Sequence, residues 1–475
     1  MARNSDDAAV AKPDADERGE SSSERPLPQK KWRPGALTLF LGFVAVLVLG
    51  SWGGYWLWKS NLQSQLDAEI AKIRERGEPV WFADVRPEPV ADAENGIASY
   101  VHACRALSDD VAKARNRQMP ATWTFISNEK DYGSFGQLTP KQLAEVRTML
   151  SESPRPLAFL REALTKPFIQ VDYDYDTHVP LNVTHNEVMT LRRLGDRLRA
   201  ESALAIADSD LDHAAQCVID QLLLIRAFRD DSAWYSQMTR SADLRHTMTS
   251  LAHRLGAGPL NTEHFQEIDA LLAEIEPTFD FRPMLLTERA RYLSAAAKID
   301  RATLEQFQNS GSTTQWLYAN FAALRIKDQL EIMRVFDEII AIIDDPSPSA
   351  TKRAEQLQEE FEAISEWSPL ARELRTFPIY RKVAFSLRQQ CVSARIAIRL
   401  AQIYHATGGL PSTLQDVADE SLPAIEIGLV SQQPLIYTPI HDEELGDMFE
   451  IRDEGARDPL SIRFEAIRND GSNRR

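Results

Sequence analysis

The densest set of groups able to do chemistry is DYDYDTHVPLNVTHNE, residues 172 to 187. If the chain is extended there, Asp172, Asp174 and Asp176 share one face, because side chains alternate along a strand, and His178 and His185 lie near them. Three carboxylates with imidazoles could hold a divalent metal. The stretch fails as an EF-hand calcium loop, because Thr177 stands where the turn needs glycine and Val183 where it needs a bidentate Glu. The competing reading is a solvated strand or loop whose tyrosines pack on the opposite face.

A second pair is His213 and Cys217, four apart and so on one face of a helix. Two ligands do not make a site, and both residue types suit a core. The chain has three cysteines, Cys104, Cys217 and Cys391, widely spaced and without a CxxC pair, which argues against a disulfide framework or a zinc knuckle. One bridge stays open if the domain lies in an oxidising compartment; buried thiols are the alternative. HExxH, GxSxG and Walker sequences are absent, so no catalytic residue and no cofactor is implied. Asn182-Val-Thr184 is a glycosylation sequon, relevant only in a eukaryotic secretory setting.

The elements that must position these groups are mostly helices. The chain has 475 residues, 43 % of them hydrophobic, enough for a large core. Asp and Glu outnumber Lys and Arg by 70 to 54, a net charge of −16, which disfavours nucleic acid and broad contact with anionic lipid. Residues 1–34 lack apolar periodicity and read as a disordered tail. Residues 35–58 carry no charge and are long enough to cross a bilayer, which takes about 20 apolar residues.

Lys30, Lys31 and Arg33 precede this span and Lys59 alone follows it closely, so the positive-inside rule places the tail in the cytoplasm and the rest outside. Trp52, Tyr55, Trp56 and Trp58 would form an aromatic belt at the outer interface. A cleaved signal peptide is the rival reading, but the apolar run is too long and no A-x-A site follows. Gly50 and Gly54 form a GxxxG pair that can join two membrane helices, or are simply tolerated facing lipid.

Residues 59–94 read as a helical stalk ending at Gly77, with Leu62, Leu66, Ile70 and Ile73 at helical spacing, followed by an extended linker. Residues 95–407 read as a helical domain, a bundle or short hairpin solenoid without a fixed-period repeat. Expected features are an Asp92 N-cap, a Thr139 N-cap with Pro140 behind it and the same device at SPRPLAFLREAL. Breaks are expected at Asp208–Asp210 and Asp230–Ser232. Further helices are expected at about 262–276, 282–299, 313–344, 350–376 and 378–407, the last apolar on more than one side and therefore central.

At YHATGGLPSTLQDV, Gly408 and Gly409 can close that helix, and Pro411 and Ser412 open a short one pinned by Leu414 and Val417. Ile462, Phe464 and Ala466 alternate with polar residues as in a half-buried strand, with DMFEIRD as its antiparallel partner. Residues 408–475 are thus expected to be a small helix-plus-sheet module. The fold class is mainly α, with one transmembrane helix.

Two passages together carry a resemblance. RGEPVWFADVRPEPVADAENG, followed by RAESALAIADSDLDHAAQCVIDQLLLIRAF, resembles uncharacterised bacterial single-pass membrane proteins with a helical extracytoplasmic domain. The end, ARIAIRLAQIYHATGGLPSTLQDV and the strands after it, is similar to the globular head of type II secretion pseudopilins. The resemblance implies no known activity; the expectation from the sequence as a whole is an extracytoplasmic scaffold or binding module with an envelope protein partner. It departs from pseudopilins in lacking a prepilin peptidase site before the anchor and a match to the calcium-binding acids around Asn469–Gly471.

Overall fold

In the computed structural model, the described residues are 34–116, 138–176, 186–299, 317–318, 320–364, 369–417, 429, 433–442, 446–453 and 460–463. The tail to residue 33, His178, His185, the Asn182-Val-Thr184 sequon, the NSGSTT loop, Phe464, Ala466 and Asn469–Gly471 lie outside them. The chain divides into two units, Met1–Trp58 and Lys59–Arg475.

The first helix, α1, runs Pro34–Glu75. Within the first unit it is apolar and bare: Leu39 is 76 % and Leu57 75 % exposed, so this helix is long and apolar enough to cross a membrane. Beyond Lys59 it belongs to the second unit. Leu62, Leu66 and Ile73, spaced to fall on one face, are buried there, so the stalk is a packed element rather than a free spacer. Gly77 ends it at φ +69°, a conformation that glycine adopts without Cβ strain.

The segment after Gly77 is a strap over the second unit. Val80 and Phe82 are buried, and Phe82 N donates to Ser294 Oγ at 2.8 Å. Then come α2 (Ile97–Asn116), α3 (Pro140–Glu152), α4 (Arg155–Leu164), α5 (Asn186–Ala207), α6 (Leu211–Ala227), α7 (Trp234–Ala257) and α8 (Thr262–Ile275). α9 (Arg282–Lys298), α10 (Ala322–Ile343), α11 (Pro348–Glu362), the single turn α12 (Pro369–Arg372) and α13 (Ile379–Thr407) follow. α5 and α6 form a hairpin; α7 packs on both, α8 packs on α6, and α13 crosses α7 and α8. That is hairpin stacking, and α13 is central as its apolar breadth demands.

Thr139 caps α3 with a reciprocal Gln142 bond, and Pro140 fills the first helical position. Other expected boundaries move. Asn95, not Asp92, holds the start of α2, its Oδ1 accepting from Ile97 N at 3.1 Å. Ser153 does not cap α4, because its hydroxyl bonds Asp110 and accepts from Arg197 Nη1 at 2.6 Å.

The helix expected over 313–344 is interrupted: residues 317, 318 and 320 are helical, Phe321 is extended, and α10 begins at Ala322. The break lets Tyr318 OH reach Asp328 Oδ2 at 2.6 Å, whereas in one straight helix ten residues rise about 15 Å. The helix expected over 350–376 stops at Glu362 and resumes at Pro369, which has no N–H to continue it. Asp328 accepts from Leu370 N and Ala371 N there, both at 3.2 Å, and so caps the new turn.

Buried arginines close several corners. Arg240 Nε donates to Ile225 O at 2.8 Å, and Arg254 donates to Leu211, Gly258 and Pro259 carbonyls at 2.6–2.9 Å. Arg381 Nε bonds Ile342 O at 3.1 Å and Asp345 O at 3.0 Å. Helix ends leave carbonyls without partners, and a planar fork of donors serves several together.

α13 ends at Gly408, left-handed at φ +74°, and the turn Leu414–Val417 buries both its apolar ends. Three antiparallel strands follow, β1 (Ile436–Asp442), β2 (Gly446–Arg452) and β3 (Leu460–Arg463), in the order β1-β2-β3. Phe449 pairs with Ile462, which makes DMFEIRD the partner of LSIR. Phe449 and Ile451 are buried, and β3 packs against α7 and α13.

Candidate functional site

The segment 168–174 is extended and closes in a turn at Tyr175 and Asp176, with buried and exposed side chains alternating from Val171. It is joined to the strap by a parallel bridge between Asn95 and Phe168 and to α6 by Ile169 N donating to Ala227 O at 3.0 Å. Val171, Tyr173 and Tyr175 are buried, while Asp172, Asp174 and Asp176 are exposed. The three carboxylates thus share one edge. Asp176 is held by Arg86 at 2.5 Å, and Asp174 Oδ1 accepts from Asp176 N at 3.2 Å in a local turn.

The tyrosines face inward. Tyr173 OH donates to Asp231 Oδ2 at 2.7 Å, and burial followed by that carboxylate pushes the phenol well above its usual range. Phe168, Tyr173, Tyr175 and Asp231 line a cavity of about 50 Å³. That is far below the roughly 300 Å³ of a typical small-molecule site.

A tighter group lies in the α5–α6 hairpin. Asp208–Asp210 breaks the helix there, with Ser209 at φ +60° and Asp210 capping His213 N at 3.1 Å. Folding back brings Glu201 of α5 onto His213 and Cys217 of α6. His213 Nε2 lies 3.1 Å from Glu201 Oε1 and 3.9 Å from Cys217 Sγ. One ligand atom from each of the three falls within 4.8 Å of the others, and this is the group able to hold a metal ion among the described residues.

Arg161 of α4 enters the same place. It bonds Glu201 Oε2 at 2.7 Å and Asp220 Oδ2 at 2.8 Å, with Nη2 3.9 Å from Cys217 Sγ. Burial alone would lower its pKa; the bonds to Glu201 and Asp220 outweigh it and raise the pKa. Burial, then the Glu201 carboxylate, pushes the Cys217 thiol well up, so it stays protonated and is no nucleophile. Cys104, Cys217 and Cys391 are all free and buried.

The sequence placed His213 and Cys217 on one face but missed Glu201 and Arg161. A signal for Glu201 was present: it and Cys217 are equidistant from Ser209, the centre of the turn, and so meet in a hairpin. Nothing local announces Arg161.

A third polar group is buried between α5 and α7. Gly195 leaves room for Asp243, whose Oδ1 a Cβ there would meet at 3.1 Å. Both Asp243 oxygens lack hydrogen bonds, and the Arg199 guanidinium stands 3.7 Å away. Burial raises this carboxyl to about 6 despite Arg199 and Arg192. Burial, with Arg199 and Arg192, drops His246 to about 3, so it is neutral. This is a structural charge cluster closed to solvent. Compared with known proteins, the chain matches no family model, no curated protein and no solved structure.

Proposed function

We propose that the protein is a single-pass membrane protein with a cytoplasmic N-terminus, whose helical extracytoplasmic domain is a scaffold or binding module for an envelope protein partner. The observation that carries this is that the helix from Leu37 to Trp58 is bare and apolar, while residues from Lys59 onward form a separately packed helical unit. Orientation rests on Lys30, Lys31 and Arg33 against the Trp-rich far end. The net charge of −16 fits a partner that is protein rather than nucleic acid. We extend the proposal to kinship of the module after Thr407 with the pseudopilin head; its support is a long helix leading through a turn into a small sheet. Reporter fusions at residue 20 and after residue 475 are expected to report opposite sides, with the C-terminus outside. A cytoplasmic C-terminus, or a soluble processed body, defeats the proposal.

A second reading, a metal-dependent enzyme or sensor, is favoured by the shared exposed edge of Asp172, Asp174 and Asp176, with His178 added from the sequence. An all-oxygen edge with one imidazole suits a hard cation. Bound calcium, magnesium or manganese, lost on changing Asp174 and His178, is the result that supports it.

A further inference from the structure

We propose that Glu201, His213 and Cys217 form a three-ligand site for a zinc-class divalent cation, and that Arg161 is the resident cation of that site when metal is absent. The donor set is one carboxylate oxygen, one imidazole nitrogen and one thiol sulfur. That mixture selects zinc or its surrogates over calcium and magnesium, which take oxygen ligands.

The geometry is close to preformed. Zinc bonds of roughly 2.0–2.3 Å at tetrahedral angles place ligand atoms between about 3 and 4 Å apart. His213 Nε2 is 3.1 Å from Glu201 Oε1 and 3.9 Å from Cys217 Sγ. His213 and Cys217 sit one turn apart on α6, so a single helix fixes two ligands and the hairpin delivers the third. The His213 side chain is 40 % exposed, which opens a route from solvent, while Cys217 closes the inner side. Three protein ligands leave a fourth position for water or substrate, the pattern of catalytic rather than structural zinc.

Arg161 explains how the site is stable empty. Its guanidinium neutralises Glu201 and reaches the sulfur that the metal would take. Asp220 lies on the other side of Arg161, bonded to Nε at 2.8 Å and itself steadied by Gln216 at 3.2 Å. On metal entry Arg161 releases Glu201 and stays on Asp220. The step balances simply: the Cys217 S–H bond breaks, a Zn–S bond forms and one proton leaves to solvent. No oxidant or reductant takes part.

The test uses the full chain in detergent with cobalt(II) as the probe. One equivalent is expected to give a thiolate-to-cobalt charge-transfer band, displaced by zinc. Cys217→Ser is expected to abolish the band. His213→Asn, at a half-exposed position that folding tolerates, is expected to weaken binding about tenfold or more. Arg161→Gln is expected to tighten it, since the competing cation is gone. A missing band, or one that survives in Cys217→Ser because Cys104 or Cys391 supplies it, overturns the site. Unchanged affinity in His213→Asn does the same, and weaker binding in Arg161→Gln overturns the role given to Arg161.

Discussion

Asp243 is a carboxylate kept in the core without a hydrogen bond, and that has a measurable consequence. Its folded-state pKa, about 6, lies above the 3.8 of a free Asp. The folded state therefore holds the proton more tightly than the unfolded chain. Stability from that protonation is fully present below the unfolded value and is lost as pH rises through 6, a difference on the order of 3 kcal/mol. Asp328, also raised to about 6, follows the same sign. Glu78 and Asp269 run the other way: burial would raise them, but bonds from Arg289 and Arg76, and from Arg399 and Arg395, lower them, so their contribution fades on acidification. Asp243→Asn removes the buried charge and keeps the shape. It is expected to gain about 1–3 kcal/mol over the parent at pH 7.5, with the gain shrinking below pH 5. Denaturant unfolding at the two pH values measures this, and no gain at pH 7.5 would show that Arg199 and Arg192 offset the charge in full.

At the scale of elements, close approach decides two glycines. Gly96 joins the strap to α2, with its N donating to Phe168 O at 2.8 Å, and a Cβ there would lie 2.4 Å from the Ala163 carbonyl of α4. Backbone cannot yield as a side chain can, so Gly96→Ala is expected to destabilise by about 2 kcal/mol or more. Gly408 and Gly409 look alike in sequence, but only the first is left-handed among the described residues. Gly408→Ala is expected to cost about 1 kcal/mol and Gly409→Ala close to nothing, as thermal unfolding of the pair will show. Equal losses would place the helix stop elsewhere. Two expected breaks are present in the structure. The Asp208–Asp210 and Asp230–Ser232 breaks were legible because three polar residues interrupt apolar periodicity. The break at Phe321 was not legible, since it exists to let Tyr318 reach Asp328, a contact no local pattern contains.

For the whole molecule, the C-terminal module is part of the body's packing. Leu414 and Val417 are buried in its turn, Tyr437 OH donates to Pro411 O at 3.0 Å, and β3 lies against α7 and α13. A small sheet with one apolar face is barely stable alone. A chain ending at Thr407 is therefore expected to unfold several degrees lower and to aggregate, because a bare apolar patch of several hundred Å² is exposed. Equal melting temperature and solubility would make the module an independent appendage.

Periodicity, charge and turn residues act over a few neighbouring positions, and they alone determined the apolar span, the helical body, the hairpin around Ser209 and the helix-to-sheet junction at Gly408. They also determined that Asp172, Asp174 and Asp176 face out while Tyr173 and Tyr175 face in, since a strand has a period of two. Tertiary structure alone decided which charges meet. Arg161 reaches Glu201 and Asp220 from another helix, and Arg76 and Arg289 share Asp337 across more than one element. Those pairings depend on how helices cross, and crossing is set by the shape of whole packed faces rather than by any short run of residues.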